Sequence, residues 1–236
     1  NRINKLFNEK KQNILSLYFC AGHPTAGSTA DIIRTLAARG IDMLEIGIPF
    51  SDPMADGPVI QHAATQALHN GMTLKVLFPN FGDTQLFEEL KDIRQDVEIP
   101  LILMGYLNPI FHYGFEAFCQ SCADCGIDGV IIPDLPFRDY METFKPIADR
   151  HGLKIIMLIT PETSEERIRL IDRHTDGFIY MVSSAATTGV QKEFDRTKQA
   201  YFDRVNQMGL THPRMIGFGI SNRQTLESAQ KHAAGA

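Results

Sequence analysis

The stretch LEIGIPFSDPMADGP, residues 44–58, carries the carboxylates Glu45, Asp52 and Asp56, and the first of them interrupts an apolar run. In a strand buried on both faces, an unpaired carboxylate costs several kcal/mol or takes up a proton at neutral pH. A carboxyl held on that boundary suits general acid and base work. The competing reading is a structural Glu paired with a core Lys or Arg, but none of the strand-like apolar runs of this chain contains either. Pro49 and Pro53 stiffen the loop that follows and bring Asp52 and Asp56 to the same end of the strand. For Asp56 two readings stand. In DGP ahead of an apolar helical run it is either the acid that starts a helix, with Pro58 in the first turn, or a second carboxyl of the site. Asp52 is either a turn residue or a partner contact.

A different chemistry follows two later runs. SSAATTGV and GFGISN place Gly, Ser and Thr at strand ends, each ahead of a helical segment, where backbone N–H groups can cradle an anion. Together they imply a phosphorylated small molecule.

The elements that must position these groups alternate. Strand-like runs begin at Ile14, Met43, Leu101, Val130, Ile155, Phe178 and Met215, with helical spacing between them and Gly at several helix ends. The wide interval from Met43 to Leu101 has room for one more strand. Near-continuous apolar strands separated by helices predict a parallel sheet covered on both faces. The count favours a single-domain (β/α)8 TIM barrel over residues 1–236 against a doubly wound sheet. Barrels of this kind carry their chemistry at the carboxyl ends of the strands and often bind phosphate at the last two, in agreement with both motifs.

The 236 residues are 44% hydrophobic and 22% charged, with net charge −5 and 23 scattered Lys and Arg. No basic stripe offers itself to nucleic acid or an anionic membrane. No apolar run is long enough to span a bilayer, and residues 1–12 are too polar for a signal peptide, which predicts a cytoplasmic protein. Cys119, Cys122 and Cys125 spell C-x-x-C-x-x-C, but FEAFCQSCADCG has helical periodicity, and we read these and Cys20 as small free thiols in a reducing compartment rather than cluster ligands. TSEERIRLIDRH reads as a solvated outer helix, and His23 in CAGHP as a turn residue.

LEIGIPFSDPMADGP, LMGYLNP, GVIIPDLP and IGFGIS, in this order and spacing, closely resemble the tryptophan synthase α subunit family from about Leu15 to Ala236. The resemblance implies a lyase that cleaves indole-3-glycerol phosphate by a retro-aldol reaction into indole and glyceraldehyde 3-phosphate, in tryptophan biosynthesis. It implies no cofactor and no metal in this chain, and a partner β subunit that holds pyridoxal phosphate, assembled as an α2β2 heterotetramer. By family match Glu45 protonates the indole carbon that bears the glycerol chain, and Asp56 contacts the indole N–H. Tyr18, Tyr106, Tyr180 and Phe218 match lining positions. Thr188 and Gly189 match a closing loop, in which Thr188 meets Asp56, and Gly189 and Gly219 match phosphate contacts. Pro49, Asp52 and Pro53 match the surface that docks on the β subunit.

Three departures accompany the match. The family's Gly-Ser phosphate pair lies just beyond AAGA, so a chain ending at Ala236 is expected to lack its eighth βα unit and to leave the barrel open. Ser184 stands where many relatives carry Arg, and Pro79–Leu86 reads as an insertion into a helix. The competing functions are another phosphate-binding barrel acting on a neighbouring indole or phosphoribosyl intermediate, an inert subunit that only activates a partner, and an indole-releasing lyase that works alone.

Overall fold

The computed structural model describes residues 1–74, 84–183 and 196–236. The strands, in chain order, are β1 (Ser16–Cys20), β2 (Met43–Gly47), β3 (Met72–Thr73), β4 (Thr84–Gln85), β5 (Leu101–Met104), β6 (Gly129–Ile131), β7 (Lys154–Ile159), β8 (Ile179–Val182) and β9 (Arg214–Gly217). Seven of them pair in parallel in the order β1-β2-β5-β6-β7-β8-β9, and these are the seven read from the sequence. The interval after Met43 does contain further strand, but as the separate parallel pair β3–β4 outside this sheet. Of the expected insertion, residues 79–83 lie outside the described residues, Thr84 and Gln85 form β4, and Leu86 opens the helix Leu86–Leu90.

The expectation of an open barrel needs correction. Residues 234–236 lie between β9 and β1, and Gly235 bridges in parallel to both Met215 and Ile14. Ile14 N donates to Ala234 O at 3.0 Å, Ser16 N to Ala236 O at 2.9 Å, and Ile216 N to Gly235 O at 3.0 Å. The beginning of an eighth strand is therefore present, and the ring of hydrogen bonds closes through it.

Alternation along each strand separates two apolar layers. Ile14, Met43, Ile102, Ile131, Ile156, Phe178 and Met215 point into the barrel, while Leu44, Leu103, Val130, Ile155, Ile179 and Ile216 meet the helices outside. A helix absent from the sequence reading, Arg2–Glu9, inserts Ile3 and Phe7 into the inner cluster, with Phe7 and Phe178 ring centroids 5.4 Å apart. Its Asn1 caps Ile3 N and also reaches Asp128 O. This closes the end of the barrel opposite the strand carboxyl ends.

The cysteine segment forms the helix Phe115–Asp124, and Cys20, Cys119, Cys122 and Cys125 are buried free thiols. Burial pushes the Cys119 thiol up to about 12 and Cys125 to about 11, which keeps them protonated. The charged segment forms the outer helix Glu165–His174, capped by Ser164. His23 sits in the turn after β1, with a cis peptide to Pro24.

Candidate active site

Glu45 sits in the middle of β2, 4% exposed, beside Tyr18 in the register of β1 and β2. Ser16 Oγ donates to Glu45 Oε1 at 2.6 Å, and Tyr180 OH donates to Oε2 at 3.0 Å. Burial raises the carboxyl above its ordinary range, and the two hydroxyl bonds oppose that rise by favouring the charged form. The structural alternative for Glu45, a core cation partner, is not found among the described residues, where its carboxylate is met by hydroxyls.

Two glycines make room for the tyrosines. A Cβ on Gly47 would lie 2.1 Å from Tyr18 OH, and one on Gly217 would lie 2.0 Å from Tyr180 OH. Each phenol lies against a backbone that only glycine leaves bare. Burial and the neighbouring Glu45 charge push Tyr180 well above 10, so it stays a proton donor.

The Asp56 side chain bonds within the loop cluster rather than at the helix start. The helix Pro58–His69 begins with Pro58 as expected, but its N-cap is Gly57 without a side-chain cap. The Asp56 carboxylate instead accepts from Tyr106 OH at 3.2 Å, while that hydroxyl accepts from Ala55 N at 2.9 Å. Partial burial raises the Asp56 carboxyl, opposed by the Tyr106 bond. Tyr106 itself, from the turn after β5, is pushed up to about 12, chiefly by burial.

An open cleft of about 320 Å³ at the carboxyl ends of the strands is lined by Tyr18, Asp56, Met104, Tyr106, Pro133 and Phe218, among others. Its walls are mainly apolar with one carboxylate on the rim, the composition suited to a flat ring carrying a single N–H. Phe218 crosses the ring of Tyr180 edge-on at 6.1 Å. It holds φ +68, a conformation disfavoured for a bulky residue, and Ser183 Oγ donates to its carbonyl at 2.9 Å.

The structure thus brings together Glu45 with Tyr18 and Tyr180, and Asp56 with Tyr106, under Phe218. Gly219 follows at the end of β9 with φ +74. Thr188, Gly189 and Ser184 lie outside the described residues. In the loop after β2, Asp52 is exposed and Pro53 half-buried, but Pro49 is buried. Its expected place on a docking surface is corrected to an internal one that sets the course of the loop. Ser16 is not among the residues singled out from the sequence, and Gly47, Ser183 and Gly217 lie inside the quoted stretches without the contacts seen here attached to them. The available signal was the period of two that puts Ser16 on the face of Tyr18.

A family model described as Tryptophan synthase alpha chain matches residues 4–236. The Tryptophan synthase alpha chain of Phocaeicola vulgatus is 67% identical over 236 residues, all of this chain and 88% of the relative. That of Bacteroides thetaiotaomicron is 63% identical, with 100% and 89% covered. Among solved structures, the tryptophan synthase alpha chain of Legionella pneumophila superposes with TM-score 0.82 at 34% identity, covering 100% of this chain and 83% of that one. Mycobacterium tuberculosis tryptophan synthase gives TM-score 0.84 at 26% identity, with 100% and 87% covered. With its barrel and its buried carboxylate in place, the chain belongs to the tryptophan synthase α chain family and is a lyase of tryptophan biosynthesis.

Proposed function

We propose that the chain cleaves indole-3-glycerol phosphate to indole and glyceraldehyde 3-phosphate, with Glu45 as proton donor and Asp56 as the anion that faces the ring nitrogen. The observation that carries this reading is a carboxyl buried inside the barrel and met, among the described residues, by hydroxyl donors at its two oxygens. Burial favours its protonated form, which suits it to protonate the ring carbon bearing the glycerol chain. Protonation leaves positive charge on the ring nitrogen, and an ionised Asp56 on the rim stabilises it. The hydroxyl proton of the chain carbon then leaves to a base, a role open to the Glu45 carboxylate just formed. The carbon–carbon bond breaks, its electron pair restores the aromatic ring, and the chain carbon becomes an aldehyde. Two carboxyls in unlike environments thus take unlike roles.

Tyr18, Tyr106, Tyr180 and Phe218 supply the walls for the indole, and Gly219 supplies a phosphate contact, with Thr188 and Gly189 assigned to the closing loop. The chain needs no cofactor or metal of its own for this reaction; pyridoxal phosphate belongs to the β subunit. Partnership with that subunit in an α2β2 assembly is supported by the loop after β2, where exposed Asp52 and half-buried Pro53 stand beside Met54, 88% exposed, and Val59, 73% exposed. Large apolar side chains left this open on the loop and on the first turn of the helix after it suit a docking surface. We place the protein in the cytoplasm; no helix among the described residues is long and apolar enough to cross a membrane.

The test is indole release from indole-3-glycerol phosphate by the protein alone and with a β subunit, with Glu45→Gln alongside. Indole is expected from the wild type, faster with the partner, and the variant should lose roughly 10²–10⁴-fold in kcat. Undiminished turnover by Glu45→Gln would remove Glu45 from the mechanism.

A further inference from the structure

We propose that Ser16 is a positioning residue for Glu45, holding Oε1 in one orientation while the carboxyl gives up and regains its proton. This rests on the reading of Glu45 above. Ser16 Oγ lies 2.6 Å from Oε1, in the range of a charge-assisted bond and shorter than the 3.0 Å bond from Tyr180 to Oε2. Each oxygen of the carboxylate therefore has its own hydroxyl, one from the neighbouring strand and one from β8. Among the described residues, the groups facing Glu45 are Ser16 and Tyr18 from β1 and Tyr180 from β8, and both phenols are pushed well above 10. Asp56 bears on Tyr18 from the loop after β2.

A serine hydroxyl can do what a fixed donor cannot. It donates to the carboxylate, and by rotating it accepts from the carboxylic acid, so Oε1 keeps a partner in both states. Ser16 is itself held from the main chain, since its N donates to Ala236 O at 2.9 Å and its residue pairs with Met43 of β2. Without it Oε1 would face the barrel interior with no donor, and the proton would be held more tightly while the carboxyl turned more freely.

The experiment compares wild type, Ser16→Ala and Ser16→Thr as full-length protein with a β subunit. Glu45 is titrated by carboxyl ¹³C NMR, with Glu45→Gln identifying the signal, and kcat and KM for indole release are measured in parallel. In Ser16→Ala the midpoint should rise by about one pH unit and kcat should fall about tenfold, with KM moving less than about twofold. Ser16→Thr, which keeps the hydroxyl, should restore both. A lower kcat with an unmoved midpoint would mean that Ser16 only packs, and a moved midpoint that Thr does not restore would point to strand shape rather than the hydroxyl; either result overturns the proposal. If the midpoint moves as stated but wild type releases no indole, the hold of Ser16 on the carboxyl stands and the lyase reading fails.

Discussion

At Glu45, burial acts to keep the carboxyl protonated, and hydroxyls from Ser16 and Tyr180 act to ionise it, with burial the larger effect. The raised value has a consequence for stability. Between the ordinary carboxyl value and the raised one, the folded chain binds more protons than the unfolded chain, so stability falls as pH rises through that window. Glu45→Gln has no such titration. The melting temperature of the variant, taken relative to wild type, should therefore climb as pH is raised from below 4 towards neutrality, while activity is lost throughout. Thermal melts of both proteins across that range check this, and a pH-independent difference would show that the Glu45 proton is not retained on folding. Such a trade of stability for chemistry is common at active sites. Glu45 was legible in the sequence because a charge inside an apolar strand is visible along one dimension. Ser16 was not, because the period of two places it on the face of Tyr18 but its partner lies across the β1–β2 register, which one strand read alone does not show. Asp56 carried two signals at once, helix start and site acid, and its bond from Tyr106, fifty residues away, could not be read from DGP.

The elements were largely readable because parallel strands covered on both faces leave apolar runs that helical segments punctuate. What escaped is short or lies across an interface. The helix Arg2–Glu9 has eight residues, mostly polar, and its Ile3 and Phe7 are explained only by the barrel end that they fill. Asp172 sits within the charged outer helix, yet it is buried and accepts from the backbone N–H of Thr211 and His212. Asp128, just before β6, is the strongest case. It is 3% exposed, 2.6 Å from Arg94 Nη2, and accepts from Arg2 N and Leu101 N. Arg94 further donates to the carbonyls of Gly126, Val97 and Ile99, so the pair ties three connections together at the strand amino ends. Removing Asp128 leaves the half-buried Arg94 without its charge partner and the Arg2 and Leu101 N–H groups without their acceptor, so Asp128→Ala should lose roughly 3 kcal/mol of stability. Because the candidate site is at the other end of the strands, kcat of the folded enzyme should stay near wild type. Urea unfolding and single-condition turnover measure the two effects separately, and a matched fall in kcat would mean that this end of the barrel reaches the site.

For the molecule as a whole, the barrel was inferred from strand count, but its closure was hidden in AAGA, four small residues with no strand signal of their own. Gly235 completes the ring because it approaches Ile14 more closely than any side chain permits: a Cβ there would lie 2.1 Å from Ile14 O and 2.7 Å from Ile14 Cβ. The obstacle is backbone and cannot swing aside, so Gly235→Ala should push the seam between β9 and β1 apart, at about 1–3 kcal/mol. The same seam holds Ser16, whose N–H is bound to Ala236 one residue on. Closure and chemistry are thereby joined in a way that the Asp128 cluster and the chemistry are not. Gly235→Ala should lower both the urea midpoint and kcat, and it should raise the Glu45 titration midpoint in the direction expected for Ser16→Ala. If Gly235→Ala is destabilised yet keeps wild-type kcat and an unmoved Glu45 midpoint, the closing strand serves the fold alone, and the site is set by β1, β2 and β8 without it.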